Sequence, residues 1–161
     1  MQDDKKLTHI DQDGNPSMVD VGHKQVTTRH AQARTIVQLP PEVMQQVKNQ
    51  DIHTKKGSVF QTAIIAGTMG AKKTSDLIPL CHPLSLDSCK FEIRVEEPNQ
   101  VIIDCFVRVE GKTGVEMEAL TGATVAALTV YDMCKGLSQD IVIQETKLMK
   151  KTGGKTDFAR T

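Results

Sequence analysis

Ser88 to Glu96 alternates without interruption, with Cys89, Phe91, Ile93 and Val95 on one side and polar or charged residues on the other. Period-two alternation describes a strand with one buried face. Val101 to Glu110 repeats the pattern through Val101, Ile103, Cys105, Val107 and Val109. Pro98-Asn99 supplies a turn between them, so the two segments predict a hairpin. His30 to Leu39 alternates too, with Ala31, Ala33, Thr35, Val37 and Leu39 facing in, and Ile141 to Leu148 is the last strand. Two segments follow helical rules instead. Ser58 can cap a helix running to about Ser75, whose Ala63, Ala66, Gly67 and Gly70 form a small-residue face for close packing. A second helix spans about Glu116 to Leu137 and encloses a nearly uncharged run, Ala119 to Val130. A helix that apolar is buried.

The connections are equally readable. Pro40-Pro41-Glu42 starts a short helix to about Gln50, with proline where a missing N–H costs little. Asp51 to Gly57 reads as a polar, basic loop containing His53, Lys55 and Lys56. Leu77 to Pro83 is broken by two prolines, and Lys150 to Lys155 reads as a Gly-rich basic tail. Setting the short helix aside, the order is β-α-β-β-α-β. That is an α+β, ferredoxin-like fold: an antiparallel sheet with two helices on one face. The other face is expected to show Ile102 and Phe106 among charged residues, which hints at a subunit contact. Residues 1–28 are polar and are expected to form an arm. Residues 29–161 then make one domain, a size that can bury a single sizeable core.

Composition narrows the function. Lys plus Arg and Asp plus Glu are both 20, so there is no global basic field for nucleic acid, and near-zero charge permits self-association. Aromatic content is 3%, and of the sheet residues only Phe106 faces outward. An RNA-binding sheet needs a stacking platform, which this one lacks. The four cysteines, Cys81, Cys89, Cys105 and Cys134, include no C-x-x-C pair, so free thiols in a reducing cytosol are expected. No signal peptide or membrane-length apolar run is evident, so a cytoplasmic protein without a membrane partner is expected. Paired metal-ligand spacing is absent, and neither a metal nor a cofactor is expected.

The candidate chemistry gathers around the apolar helix. It opens with Glu116 and Glu118 and closes with Asp132 and Lys135, an i,i+3 pair on one helical face. Acid and amine placed together can serve proton transfer, although each alone is equally a solvated pair or a capped helix start. Leu80-Cys81-His82 lies between Pro79 and Pro83, which hold the histidine in a fixed loop. Gly111-Lys-Thr-Gly114 is not a Walker A motif, because its spacing is wrong. Lys55, Lys56, Lys72, Lys73, Lys150, Lys151 and Lys155 fall at element ends and in loops, where together they can assemble a polyanion pocket.

Three segments carry a resemblance: Asp76-Leu-Ile-Pro-Leu-Cys-His-Pro-Leu84, Gly111-Lys-Thr-Gly-Val-Glu-Met-Glu-Ala-Leu120 and Ala126-Ala-Leu-Thr-Val-Tyr-Asp-Met-Cys-Lys135. With Met18-Val-Asp-Val21 and the Lys-Thr-Gly-Gly-Lys155 tail, they resemble the signature segments of the MoaC family, the cyclic pyranopterin monophosphate synthases of molybdenum cofactor biosynthesis. The similarity runs from about Leu7 to Phe158. It implies a lyase that converts 3′,8-cyclo-7,8-dihydroguanosine 5′-triphosphate into cyclic pyranopterin monophosphate and releases pyrophosphate. It implies a ferredoxin-like fold and a homohexamer, a trimer of dimers, with active sites at the dimer interface. By matching motif, Asp132 is the family's catalytic acid, Lys135 its acid–base partner and Lys56 a functional lysine. Leu80, Cys81 and His82 fall on one substrate-binding segment, Glu116, Met117 and Glu118 on another, and Lys151 matches a phosphate-contacting lysine. The family tail usually reads Lys-Ser-Gly-Gly-Lys-Ser-Gly. Here Thr152, Thr156 and Asp157 replace the serines and the last glycine.

Overall fold

The computed structural model describes residues 6–161, so the first five residues of the polar arm lie outside it. Four long antiparallel strands form the sheet: β1 (Thr27–Gln38), β5 (Ser88–Glu96), β6 (Gln100–Gly111) and β7 (Val142–Thr152). A two-residue strand, β8 (Phe158–Ala159), closes one edge. The order is β5-β6-β1-β7-β8. β1 therefore lies between β6 and β7, although α2 (Val59–Lys72) follows it in sequence and α4 (Glu116–Cys134) joins β6 to β7. This is the α+β, ferredoxin-like arrangement that the alternation predicts.

Val37, Ala33, Val101, Ile103, Cys105 and Val107 are buried where the sheet meets the helices. α2 and α4 cross at glycine. A Cβ on Gly67 would lie 2.5 Å from the Phe91 ring and 2.8 Å from the Gly122 carbonyl, and one on Gly122 would lie 2.8 Å from Cys105 Sγ. The small-residue face read in the sequence is thus what lets the helices meet over the sheet. Ser58 caps α2 as expected, its hydroxyl accepting from Gln61 N–H at 3.1 Å.

Five sequence expectations change. The short helix stops early, as α1 (Pro41–Met44), because Val47 and Lys48 pair instead with Ile52 and Asp51 across a turn in which Asn49 and Gln50 take positive φ. The segment read as a loop is a small hairpin stack, β2 (Val47–Lys48), β3 (Asp51–Thr54) and β4 (Gly57–Ser58). The basic tail is not wholly a tail. Lys150 and Lys151 belong to β7, because β1 begins early enough to pair with them: Ala31 stands opposite Lys151 and His30 opposite Thr152. Finally, Ile102 does not show on the helix-free face but is 3% exposed. Beside it on β6, Asp104 is buried under a cluster, accepting from Arg34, Arg94 and Gln32 at 2.9–3.1 Å. The helix that follows α2 as α3 (Thr74–Leu77) is separate from it, with the break at Lys73.

Candidate active site

A cavity of about 410 Å³ opens at the N-terminal end of α4. Seven of the residues singled out in the sequence meet there: Leu80, Cys81, His82, Glu116, Met117, Glu118 and Lys151. Three elements bring them: the loop before β5, the start of α4 and β7. The proline-bounded loop brings His82, whose Nε2–H donates to the Val19 carbonyl at 2.6 Å. That bond leaves Nδ1 for a ligand and ties residues 19–21 of the arm into the cavity wall. Lys112 Nζ donates to the Gly22 carbonyl at 3.2 Å and fixes the same stretch from the other side. Lys151 stands opposite Ala31 on the helix-covered face, and its ammonium reaches Glu116 Oε1 at 3.3 Å.

Glu118 is only 5% exposed. Burial, with a lesser push from Glu116, raises its carboxyl to about 7, against one favourable backbone hydrogen bond. Such a group can either hold or release a proton near neutrality. Burial also raises the Cys81 thiol, and the Glu118 charge adds to it.

Sequence reading missed part of the wall. Lys24 and Arg29 line the cavity with Lys151 and Lys155, which gives it four cations against Glu116 and Glu118. Arg29 lies in β1, which the alternation dates only from His30, and Lys24 lies in the polar arm expected over residues 1–28. The signal in the sequence is the density of Lys24, Arg29 and His30 at the start of an apolar strand. The Gly153-Gly154 turn passes close to β1: a Cβ on Gly153 (φ 88°) would fall 2.0 Å from the Thr28 carbonyl oxygen. Asp157, the departure in the tail, accepts from Gly153 N–H at 3.2 Å and so closes this turn.

The remaining three residues lie elsewhere. Asp132 accepts from Lys135 Nζ at 2.7 Å, at the far end of α4, with both side chains more than half exposed. The bond and charge of Lys135 hold the Asp132 carboxyl below its ordinary range, and Lys56 pulls the same way. The same bond raises Lys135. From Glu118 to Asp132 the helix rises about 21 Å at 1.5 Å per residue. One chain therefore holds two separate clusters of candidate residues, a cationic cavity and an acid–amine pair, at opposite ends of one helix. Among the described residues, no three His, Cys, Asp or Glu side chains gather in a metal-binding group.

The family model described as "MoaC family" matches residues 18–154. The chain belongs to the MoaC family. A cyclic pyranopterin monophosphate synthase of Xanthomonas campestris pv. campestris (strain B100) is 53% identical over 153 residues, covering 95% of this MoaC chain and 93% of the relative. A molybdenum cofactor biosynthesis bifunctional protein of Synechocystis sp. is 51% identical over 159 residues, and molybdenum cofactor biosynthesis protein 1 of Dictyostelium discoideum is 49% identical over 171. The MoaC chain spans 46% and 27% of those two proteins. All four cysteines of the MoaC chain are free thiols. No helix among the described residues is long and apolar enough to cross a membrane.

Proposed function

We propose that this protein is a cyclic pyranopterin monophosphate synthase, acting in molybdenum cofactor biosynthesis on 3′,8-cyclo-7,8-dihydroguanosine 5′-triphosphate. Family membership supports this reading. The observation that carries it is the cavity's chemistry: four cations beside a buried carboxyl that titrates near neutrality. A triphosphate needs the cations, and a purine-derived ring with N–H groups suits a carboxyl able to donate or accept.

Making a cyclic monophosphate from a triphosphate requires a substrate hydroxyl to attack the α-phosphorus while pyrophosphate leaves. Lys151, Lys155, Lys24 and Arg29 neutralise the charge that accumulates on the leaving group. Rebuilding the ring system requires protons to move on and off heteroatoms. Asp132, with Lys135 and Lys56 beside it, is the acid–base group, while Leu80, Cys81, His82, Glu116, Met117 and Glu118 bind the substrate.

A separation of about 21 Å is too long for proton transfer to a bound nucleotide, since such transfer needs hydrogen-bond reach. The reading is therefore that each site is shared, with the cavity of one protomer completed by the Asp132 cluster of its partner. Docking would also bury a pair that is exposed in the single chain. The outer surface of α4 suits this contact, since Leu128 is exposed along it between the two half-sites and Met117 is exposed at the cavity end. Two such helices packed antiparallel place Asp132 of one beside Met117 of the other. The proposed assembly is a homohexamer built as a trimer of these dimers, working in the cytoplasm, with residues up to 28 serving as an arm to the domain at 29–161.

The test is to incubate purified protein with the cyclised GTP derivative and measure pyrophosphate and the cyclic monophosphate together. Equal amounts of both are expected. Absence of pyrophosphate with intact substrate would remove the activity.

A further inference from the structure

The small hairpin that the sequence disguises as a loop carries Lys56 at its tip, and its base is tied by one carboxylate. Asp51 Oδ1 accepts from Ile52 N–H at 2.7 Å and from Phe60 N–H at 3.1 Å, while Oδ2 accepts the Ser58 hydroxyl. That hydroxyl is also the N-cap of α2. Asp51 thus joins the first residue of β3 to the start of α2 and closes the loop that contains Lys55 and Lys56. Next to it, Ile52 is buried in one cluster with Val59, Phe60, Val130 and Cys134, so the hairpin base sits against the last turns of α4. The tip is shaped in turn. Lys56 N–H donates to Thr54 Oγ1 at 3.1 Å, and Gly57 takes a φ of 107°.

We infer that Asp51 is a positioning residue: by tying the hairpin base to α2 and against α4, it holds the Lys56 ammonium beside Asp132. This rests on the proposed role of Lys56 and adds to it a residue that touches no substrate. Burial pushes the Asp51 carboxyl up, but its hydrogen bonds from Ser58, Phe60 and Ile52 outweigh that, so it stays ionised and all its bonds persist at working pH. Asp51 also lies near enough to the end of α4 to add to the burial that raises the Cys134 thiol to about 11. The hairpin and the catalytic end of α4 therefore share one anchor.

A double-mutant cycle in turnover separates positioning from general support. Asp51→Asn keeps an oxygen for the two N–H donors but loses the acceptor for Ser58. It is expected to lower kcat about tenfold and leave KM within about twofold, since a misplaced group can cost on the order of 10²-fold. Lys56→Ala is expected to lower kcat by ~10²-fold. In the double variant, Asp51→Asn should add nothing to the loss from Lys56→Ala. Thermal melts of all three hexamers identify any variant that loses its fold, and Asp51→Glu offers a second, still charged probe of the geometry. An equal drop in kcat from Asp51→Asn with and without Lys56 would overturn the inference, as would a wild-type kcat for Asp51→Asn. A wild-type kcat for Lys56→Ala would instead remove Lys56 from the proposed active site, and the role of Asp51 with it.

Discussion

Glu118 and Asp132 stand on one helix, nearly four turns apart and about 21 Å along its axis, the first buried in a cationic cavity and the second exposed beside Lys135. Neither can serve the other within one chain. The proposed chemistry follows from bringing two copies together so that each cavity receives an acid.

Asp132→Asn should keep its fold and assembly but lose turnover by ~10²–10⁴-fold, because an amide can neither donate nor accept the proton. Steady-state pyrophosphate release, with sedimentation as the control for assembly, measures this. An Asn variant with near-wild-type kcat would take Asp132 out of the mechanism.

The two lysines at opposite ends of α4 should fail differently. Lys135→Ala removes the partner of Asp132 and should lower kcat with little change in KM. Lys151→Ala removes a cation from the cavity and should raise KM, with a salt dependence weaker than the wild type's. Measuring kcat and KM at two ionic strengths checks both, and matching effects of the two variants on KM alone would contradict the division.

Glu118 predicts a pH signature in stability. Its folded carboxyl is raised to about 7 from 4.5. The unfolded chain therefore ionises first, and stability falls as pH rises from about 4.5 to about 7 and stays lowered above that. Glu118→Gln removes the penalty. Denaturant melts should show the variant more stable at pH 8, by up to about 3 kcal/mol at 1.36 kcal/mol per pKa unit, with the gap closing near pH 4. A variant less stable than wild type at pH 8 would show that the carboxyl is not held against its charge.

Much of this architecture was legible because burial imposes periodicity. The alternation in Ser88–Glu96 and Val101–Glu110 marked both strands, and the uncharged run of α4 marked its burial. Gly67 and Gly70 announced the helix contact because only small residues let two backbones approach. The hairpin at Asp51–Ser58 was hidden, since strands of two to four residues with polar side chains have no readable period. Lys24 and Arg29 were missed for different reasons: Lys24 lies in the arm, which is tied to the cavity by isolated bonds such as His82 to Val19, and Arg29 precedes the point where the alternation of β1 begins. The seven cavity residues were all named from motifs. The separation of Glu116 and Glu118 from Asp132 and Lys135 follows from their places at the two ends of one predicted helix, but which end Leu80, Cys81, His82, Lys151 and Lys56 join was not legible, because sequence order does not say which end of a helix a loop returns to.

The helix crossing can be tested directly. Gly67→Ala places a methyl 2.5 Å from the Phe91 ring and 2.8 Å from the Gly122 carbonyl. Overpacking of this kind costs about 1–3 kcal/mol, which should appear as a lowered denaturation midpoint with an unchanged m-value. A midpoint equal to the wild type's would mean that the helices separate freely at that point.

The shared site is tested most directly by mixing subunits. Asp132→Asn supplies intact cavities, and Glu118→Gln supplies intact acids. Dissociated together at equal amounts and reassembled, they should place a complete site in about a quarter of positions if assembly is random and symmetric. Pyrophosphate release should then recover to about that fraction of wild type, from two preparations that are each nearly inactive. Release no higher than the average of the two separate preparations, with exchange of subunits confirmed, would contradict a site divided between chains.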